Sequence, residues 1–406
     1  MSHSPVTLAD VRAARERLDD EDVVRTTPVD TSRSLSAMVG ADVHLKMEHL
    51  QRTGSFKTRG AYNRIAQVGA DVDRVVAASA GNHAQGVALA ATKAGIDATI
   101  VMPTSAPQTK VDATRDYGAT VELHGGDFPE TMAYARDLAD RDGRLFVHAF
   151  DDPAIVAGQG TLGLEVAEQV PDLDTVVVPV GGGGLIGGVA TALKGLDAAV
   201  RVVGVQAEHA ATVPESLERG EPVSIEHPRT IADGIATGGI SELTFDLVRR
   251  HVDEVVVVSD EEIARAILVL LERAKQLVEG AGAASVAALL SGAVDAADET
   301  VVPILAGGNI DPSMLQTVLT FALTDRQQLL RLRIRIRDEP GRMGELATLL
   351  ADQGVNIREV RHDRAVGDLE VGEAYLVFHV VAGGAEHAAR VIETVEAAGY
   401  EVSQVN

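Results

Sequence analysis

The sequence predicts an α/β protein in which open, mostly parallel sheets occupy the larger N-terminal part and a small α+β unit closes the chain. Three observations predict it. From Arg74 onward, short β-branched runs at 75–78, 98–102, 120–123, 175–180, 201–205, 254–258 and 301–305 alternate with helical stretches, as parallel strands covered on both faces do. Hydrophobic residues make up 46% of the chain but aromatic ones only 3%, so Ala, Val, Leu and Ile must fill the interior, which suits tightly packed βα layers. Near Leu330 the register changes: Leu330, Leu332, Ile334 and Ile336 alternate strictly with Arg331, Arg333, Arg335 and Arg337, the pattern of a half-buried strand opening a new domain.

The remaining elements follow in order. Thr7, with Asp10 three residues on, opens a first helix. Helical periodicity covers 84–94 and 260–278, the latter opened by Ser259 and Glu262 as a capping box. After the turn Asp338-Glu339-Pro340-Gly341 come a helix over 343–353, strands over 356–361 and 370–380, a helix over 386–398 and a last strand. That order, βαββαβ, is the ferredoxin-like unit. The two parts are expected to join near 324–328, giving domains at 1–325 and 330–406. The four arginines read as a solvated strand face that discourages edge pairing, with an acidic neighbour in an oligomer as the alternative.

Charge and composition narrow the function. Sixty acidic residues against thirty-six basic ones give a net charge of -24, which repels phosphate backbones and anionic lipid heads, so no nucleic-acid or membrane partner is expected. Six lysines (Lys46, Lys57, Lys93, Lys110, Lys194, Lys275) and a surplus of Asp and Glu resemble the acidic surfaces of cytosolic proteins from salt-loving organisms. The absence of cysteine excludes disulfides, thiolate metal sites and a thiol nucleophile. The N-terminal stretch 1–18 is too charged for a signal peptide, and a cytoplasmic protein is expected. The long uncharged run 175–193 contains Pro179 and four glycines, which argues against a membrane helix.

Three segments carry candidate chemistry. Ser55-Phe56-Lys57-Thr58-Arg59-Gly60 sets a scarce lysine between a turn at Gly54 and a helix start, where an amine can form a Schiff base or simply be a solvated charge. Ser79-Ala80-Gly81-Asn82-His83 follows a strand and precedes a helix, so its N–H groups suit a carboxylate; a plain βα turn capped by Asn82 and Ser79 is the other reading. Gly181-Gly182-Gly183-Gly184-Leu185 follows the strand at 175–180 and opens another helix. It lacks the Lys and Ser/Thr of a nucleotide loop, so its amides fit a phosphate without a nucleotide, or its glycines serve close helix-to-sheet packing.

In this order the segments closely resemble the threonine/serine dehydratase branch of the pyridoxal-phosphate enzymes related to the tryptophan synthase β-subunit. The resemblance extends to 45–51, 230–236, Glu279-Gly280-Ala281-Gly282 and Gly307-Gly308-Asn309, and so spans nearly all of 6–330. It implies two subdomains, the smaller at roughly 52–150, and pyridoxal 5′-phosphate as cofactor. It makes Lys57 the Schiff-base lysine and catalytic base, and Phe56 a neighbour of the cofactor ring. Asn82 then holds the ring's 3′-oxygen, and Gly181, Gly182, Gly183, Gly184 and Leu185 hold the phosphate. Ser79, Ala80, Gly81, Asn82 and His83 bind the substrate carboxylate, while Gly234, Glu279 and Ala306 line the cofactor pocket. The implied reaction removes water and then ammonia from L-threonine, giving 2-oxobutanoate, with L-serine as a further substrate; isoleucine biosynthesis is one setting for it.

Two departures from the family matter. Ala306 stands where relatives place Ser or Cys facing the pyridine nitrogen, and Ala80 where serine racemases carry a hydroxyl for the opposite face of Cα. The first motivates a reading as a non-catalytic amino-acid sensor; the second weakens a serine or threonine racemase. Relatives that bind a divalent ion use acidic residues after the strand containing Val205, but here Glu208 is followed by Thr212 and Pro214, so no metal is expected. The C-terminal unit resembles the ACT regulatory domain through Asp338, Pro340, Gly341 and Gly344. That resemblance implies a small amino-acid effector, with Asn356 near it, and a homo-oligomer, dimer or tetramer.

Overall fold

The computed structural model describes residues 6–69 and 72–405; Met1 to Pro5, the start of the stretch read as too charged for a signal peptide, lie outside the described residues. The chain divides into two compact units, one ending at Asp311 and one beginning at Pro312.

The first unit holds two sheets. Strands β1 (Val29–Thr31), β2 (Asp42–Lys46), β3 (Arg74–Ala78), β4 (Asp97–Met102), β5 (Thr120–Leu123), β6 (Leu145–Phe146), β7 (Thr175–Pro179), β8 (Arg201–Ala207), β9 (Glu254–Val258) and β10 (Thr300–Pro303) run in chain order. The larger sheet has the order β1-β2-β10-β7-β8-β9, and only β1 pairs antiparallel. The smaller, β5-β4-β3-β6, is parallel throughout. Strand β7 is buried along its whole length because helices cover both faces, which is why Val176-Val177-Val178 reads as a continuous apolar run. Its core joins Val176, Val178, Ile186, Val189 and Val202, with Phe245 as the one aromatic among the buried residues of the cluster.

The helix opened by Thr7 runs Leu8–Arg17, and the expected reciprocal bonds of Thr7 and Asp10 are present. The helix opened by Ser259 and Glu262 also starts where expected, at Asp260. It differs from the predicted 260–278 at its other end. The α-helix gives way after Val269 to a π turn, Leu270–Ala274, and Lys275 closes it in the left-handed conformation at φ 59°. The next residues then leave the helix, and Glu279 becomes the N-cap residue of a new one, Gly280–Leu290. No Gly or Pro announces that break, and the apolar periodicity runs through it.

The second unit begins with the helix Pro312–Asp325, followed by β11 (Leu329–Arg337), β12 (Asn356–Asp363), β13 (Glu373–Val381) and β14 (Glu401–Gln404). The sheet order β12-β13-β11-β14, all antiparallel, with helices Arg342–Asp352 and Ala385–Ala397, is the expected ferredoxin-like arrangement. Leu332, Ile334, Leu376 and Phe378 face Leu346, Leu350 and Val391 in its core. The arginine row needs correction: β11 lies inside the sheet, not at its edge. Its arginines meet acidic partners of the same chain, Arg333 with Asp368 at 3.0 Å and Arg335 with Glu373 at 2.5 Å. Arg333 also lies 3.6 Å above the Tyr375 ring.

Candidate active site

Lys57 is the first residue of the helix Lys57–Ile65. Among the described residues its amine touches only the Ala149 carbonyl, at 3.5 Å, and it lies 5.1 Å from the Phe56 ring. Burial disfavours the ammonium and brings its pKa down to about 8, although Glu279 nearby pulls the other way. The backbone around it is fixed by its neighbours, since Phe56 donates its N–H to the Ala306 carbonyl (3.2 Å) and Ser55 pairs with Gly307.

A rigid anchor lies behind this helix. Arg59, two residues on, is fully buried and donates to both Glu48 and Glu165, with 2.6 Å to Glu165 Oε1. Lys46, equally buried, donates to Glu165 Oε2 at 2.6 Å, to Gln169 Oε1 at 2.8 Å and to the Thr27 carbonyl at 2.7 Å. Burial alone would lower the Arg59 pKa, but the two carboxylates outweigh it and raise it. These four charges tie β2, the helix of Lys57 and the helix Pro153–Gln169 together.

Asn82 opens the helix Asn82–Ala94. Its Nδ2 donates to Glu279 Oε1 at 2.7 Å, and its Oδ1 accepts from Asn309 Nδ2 at 2.7 Å. Ser79 Oγ accepts from the Gly81 N–H at 3.1 Å, while the N–H groups of Ala80, Asn82 and His83 meet no acceptor among the described residues. His83 donates from Nε2 to the Val147 carbonyl (3.0 Å). Burial first, and then the Lys57 charge, press its pKa down to about 3, so it is neutral.

The glycine loop meets the helix Gly184–Leu196, whose first bond outside the helix proper runs from Gly187 N–H to the Gly183 carbonyl. The N–H groups of Gly181, Gly182, Gly183, Gly184 and Leu185 meet no acceptor among the described residues, and Leu185 and all but the first glycine are buried. Such a row of free amides at a helix N-terminus suits a phosphate, and the donor set fits pyridoxal phosphate. The glycines also serve packing, since a Cβ on Gly182 would overlap the Phe150 ring. Close packing and a phosphate-sized cradle are therefore compatible in this loop.

Glu279 sits between these parts. A Cβ on Gly307 would strike its carboxyl and displace it, and one on Gly234 would overlap the Ala281 Cβ and crowd Oε1 at 3.1 Å. Burial raises its pKa from 4.5 to about 7 against the bond from Asn82. Between those values the folded chain holds a proton that the unfolded chain has lost. Stability from this group is therefore full below pH 4.5 and is lost as pH rises through about 7. The shift corresponds to on the order of 3 kcal/mol. Glu279→Gln is expected to flatten this loss, seen as a smaller difference between urea midpoints at about pH 5 and about pH 8 than in the native chain.

The structure thus brings Phe56, Lys57, Asn82, Glu279 and Ala306 together, with the Ser79–His83 turn against them. Phe150 links the glycine loop to the same place, because it follows Ala149, which meets the Lys57 amine. Sequence reasoning missed Ala149, Phe150 and His148, whose Nδ1 accepts from the Phe150 and Asp151 N–H groups at 3.2 and 2.8 Å. It quoted Asn309 without assigning it a role. In the second unit, Asp338 pairs with Arg364 (2.6 Å), and Gly341, at φ 96°, is the N-cap residue of the helix containing Gly344. Asn356 pairs with Val381, whereas the β12 end nearest Asp338 pairs with Tyr375. Asp338 itself bonds to Gly372, nine residues from Val381 along β13, so Asn356 is about 30 Å along the sheet from Asp338 within one chain. Among the described residues no group of three or more His, Asp or Glu side chains could hold a metal ion, and no helix is long and apolar enough to cross a membrane.

A lysine at a helix start, together with a glycine loop and a second turn that both carry amides meeting no acceptor among the described residues, defines a class, and comparison with known proteins agrees. A family model described as pyridoxal-phosphate dependent enzyme matches residues 21–307, and one described as ACT domain matches 330–399. The chain belongs to the pyridoxal-phosphate-dependent enzymes and carries a C-terminal ACT domain. Among individual proteins, an L-threonine ammonia-lyase of Thermotoga maritima is 44% identical over 399 residues, covering 98% of this chain and 99% of the relative. The processed form of threonine deaminase isoform 2 from Solanum lycopersicum superposes with a TM-score of 0.75 at 36% identity, covering 79% of this chain and 91% of that one. Maize serine racemase superposes with a TM-score of 0.74 at 34% identity, covering 80% and 100%.

Proposed function

We propose that this chain is an L-threonine ammonia-lyase that forms 2-oxobutanoate and ammonia and also accepts L-serine. The observation that carries the proposal is the Lys57 amine: it meets no counter-ion among the described residues, has a pKa of about 8, and touches Ala149, next to the Phe150 ring that packs on the glycine loop. Lys57, Phe56, Asn82, Gly181 to Leu185, Gly234, Glu279 and Ala306 would hold the cofactor. When bound, it supplies an electron-withdrawing ring that makes the substrate's Cα–H acidic. Lys57 takes that proton, a task suited to an amine that is partly neutral near physiological pH. The N–H groups of Ala80, Asn82 and His83 bind the carboxylate and orient the substrate, and neutral His83 leaves the local charge unchanged.

Purified protein supplied with cofactor should release 2-oxo acid from L-threonine and L-serine. A preparation that binds amino acids yet releases no ammonia would favour the sensor reading. The racemase reading is disfavoured by the methyl group of Ala80 and by lyase relatives that span the whole chain, and formation of D-enantiomer would restore it. Ala306→Ser is expected to change turnover by no more than about tenfold, the worth of one hydrogen bond. A gain near a thousandfold would mean that the native site is built for something else.

The finer assignments rest on the ACT domain and on composition. A small amino acid binding near Asp338, Pro340, Gly341 and Gly344 would regulate the enzyme. The separation of Asn356 from Asp338 within one chain favours a ligand held between paired copies of the domain, hence a homo-oligomer. The acidic composition supports a cytoplasmic protein of a salt-rich cell, and the product is a precursor suited to isoleucine synthesis.

A further inference from the structure

We infer that Asn309 is a positioning residue whose amide sets the orientation of Asn82, so that the Asn82 nitrogen faces the cofactor oxygen; this rests on the reading of Asn82 given above. Asn309 follows Gly307-Gly308 in the loop after β10, the other side of the site from the Asn82 helix. Its Nδ2 donates at 2.7 Å to the Thr53 carbonyl and at 2.7 Å to Asn82 Oδ1. The Thr53 carbonyl can only accept, so the Asn309 nitrogen must face it, and that nitrogen's second hydrogen goes to Asn82 Oδ1 at 2.7 Å rather than to Gln85 Oε1 at 3.5 Å. Asn82 therefore presents its oxygen to Asn309 and its NH2 to the pocket, where one hydrogen goes to Glu279 and the other is free for an oxyanion. The Asn309 side chain also lies directly on Gly54, three residues before Lys57, and a Cβ there would overlap it.

A purely steric role and an orienting role predict opposite rankings. Asp is the isostere of Asn, so if Asn309 merely fills the space over Gly54, Asn309→Asp is mild and Asn309→Ala severe. If it orients Asn82, Ala removes one donor and leaves Glu279 to hold the amide. Asp instead repels the Thr53 carbonyl, competes as an acceptor for the Asn82 nitrogen and turns it from the pocket.

The test uses holoenzyme and reads the visible absorption band of the bound cofactor across pH, with pyridoxal-phosphate affinity by fluorescence titration. Asn309→Asp is expected to weaken affinity by about tenfold and raise the band's titration midpoint by about one pH unit, with Asn309→Ala changing each less. Ala equal to or worse than Asp, or an Asp variant with the native spectrum, overturns the inference. Asn82→Ala distinguishes the two levels. If it alters the band while Asn309→Asp does not, only the role of Asn309 falls; if it leaves the band native, the reading of Asn82 falls and the inference with it.

Discussion

Replacing Lys57 by alanine is expected to lower ammonia release from L-threonine by about a thousandfold or more. On the proposed mechanism the variant lacks both the amine that would anchor the cofactor and the base that would take the Cα proton. The same substitution should leave the fold intact. Among the described residues the Lys57 amine makes one long contact, to the Ala149 carbonyl at 3.5 Å, and its burial works against its own charge. Loss of activity with an unchanged urea midpoint separates a chemical role from a structural one. Retention of a tenth of native turnover would contradict the assignment.

Arg59→Met is expected to have the opposite signature, a loss of stability of about 3 to 5 kcal/mol in urea unfolding. Removing the guanidinium leaves Glu48 and Glu165 buried and facing a single ammonium, that of Lys46. A buried pair contributes little beyond a well-packed apolar substitute, but breaking one strands a charge away from water. Adding Glu165→Gln to Arg59→Met restores charge neutrality, with Lys46 opposite Glu48, and should recover part of the loss. Costs that simply add would show that the four groups do not act as a unit. Because Arg59 lies two residues from Lys57 on the same helix, the single variant should also turn over more slowly than its folded fraction accounts for.

Much of the fold was legible because local rules and global packing agree. The capping residues Thr7 and Ser259 mark helix starts correctly, and the Val-rich runs become β3 to β5 and β7 to β10. Strands β1 and β6 escaped because three and two residues carry too little pattern, and β2 has only Val43 and Leu45 as apolar residues. The arginine row misled because alternation reports one wet face, and an interior strand satisfies it when acidic neighbours sit beside the arginines.

At the site, residues in motifs were found and residues acting through shape were not. Phe150 works by filling the space that Gly182 leaves, and nothing at position 150 says so. The anchor of Arg59 had one available signal. Glu165 is the lone charge in 154–166, a stretch dominated by Gly, Ala, Val, Leu and Ile, and an unpaired carboxylate there implies a buried cation.

Borohydride reduction of the holoenzyme, followed by peptide mass analysis, tests the central claim most directly. The account predicts the added mass of a reduced pyridoxyl phosphate on Lys57, and none of that mass in protein carrying Lys57→Ala. Label on another lysine, or an unmodified Lys57 in protein that still releases ammonia, would contradict it.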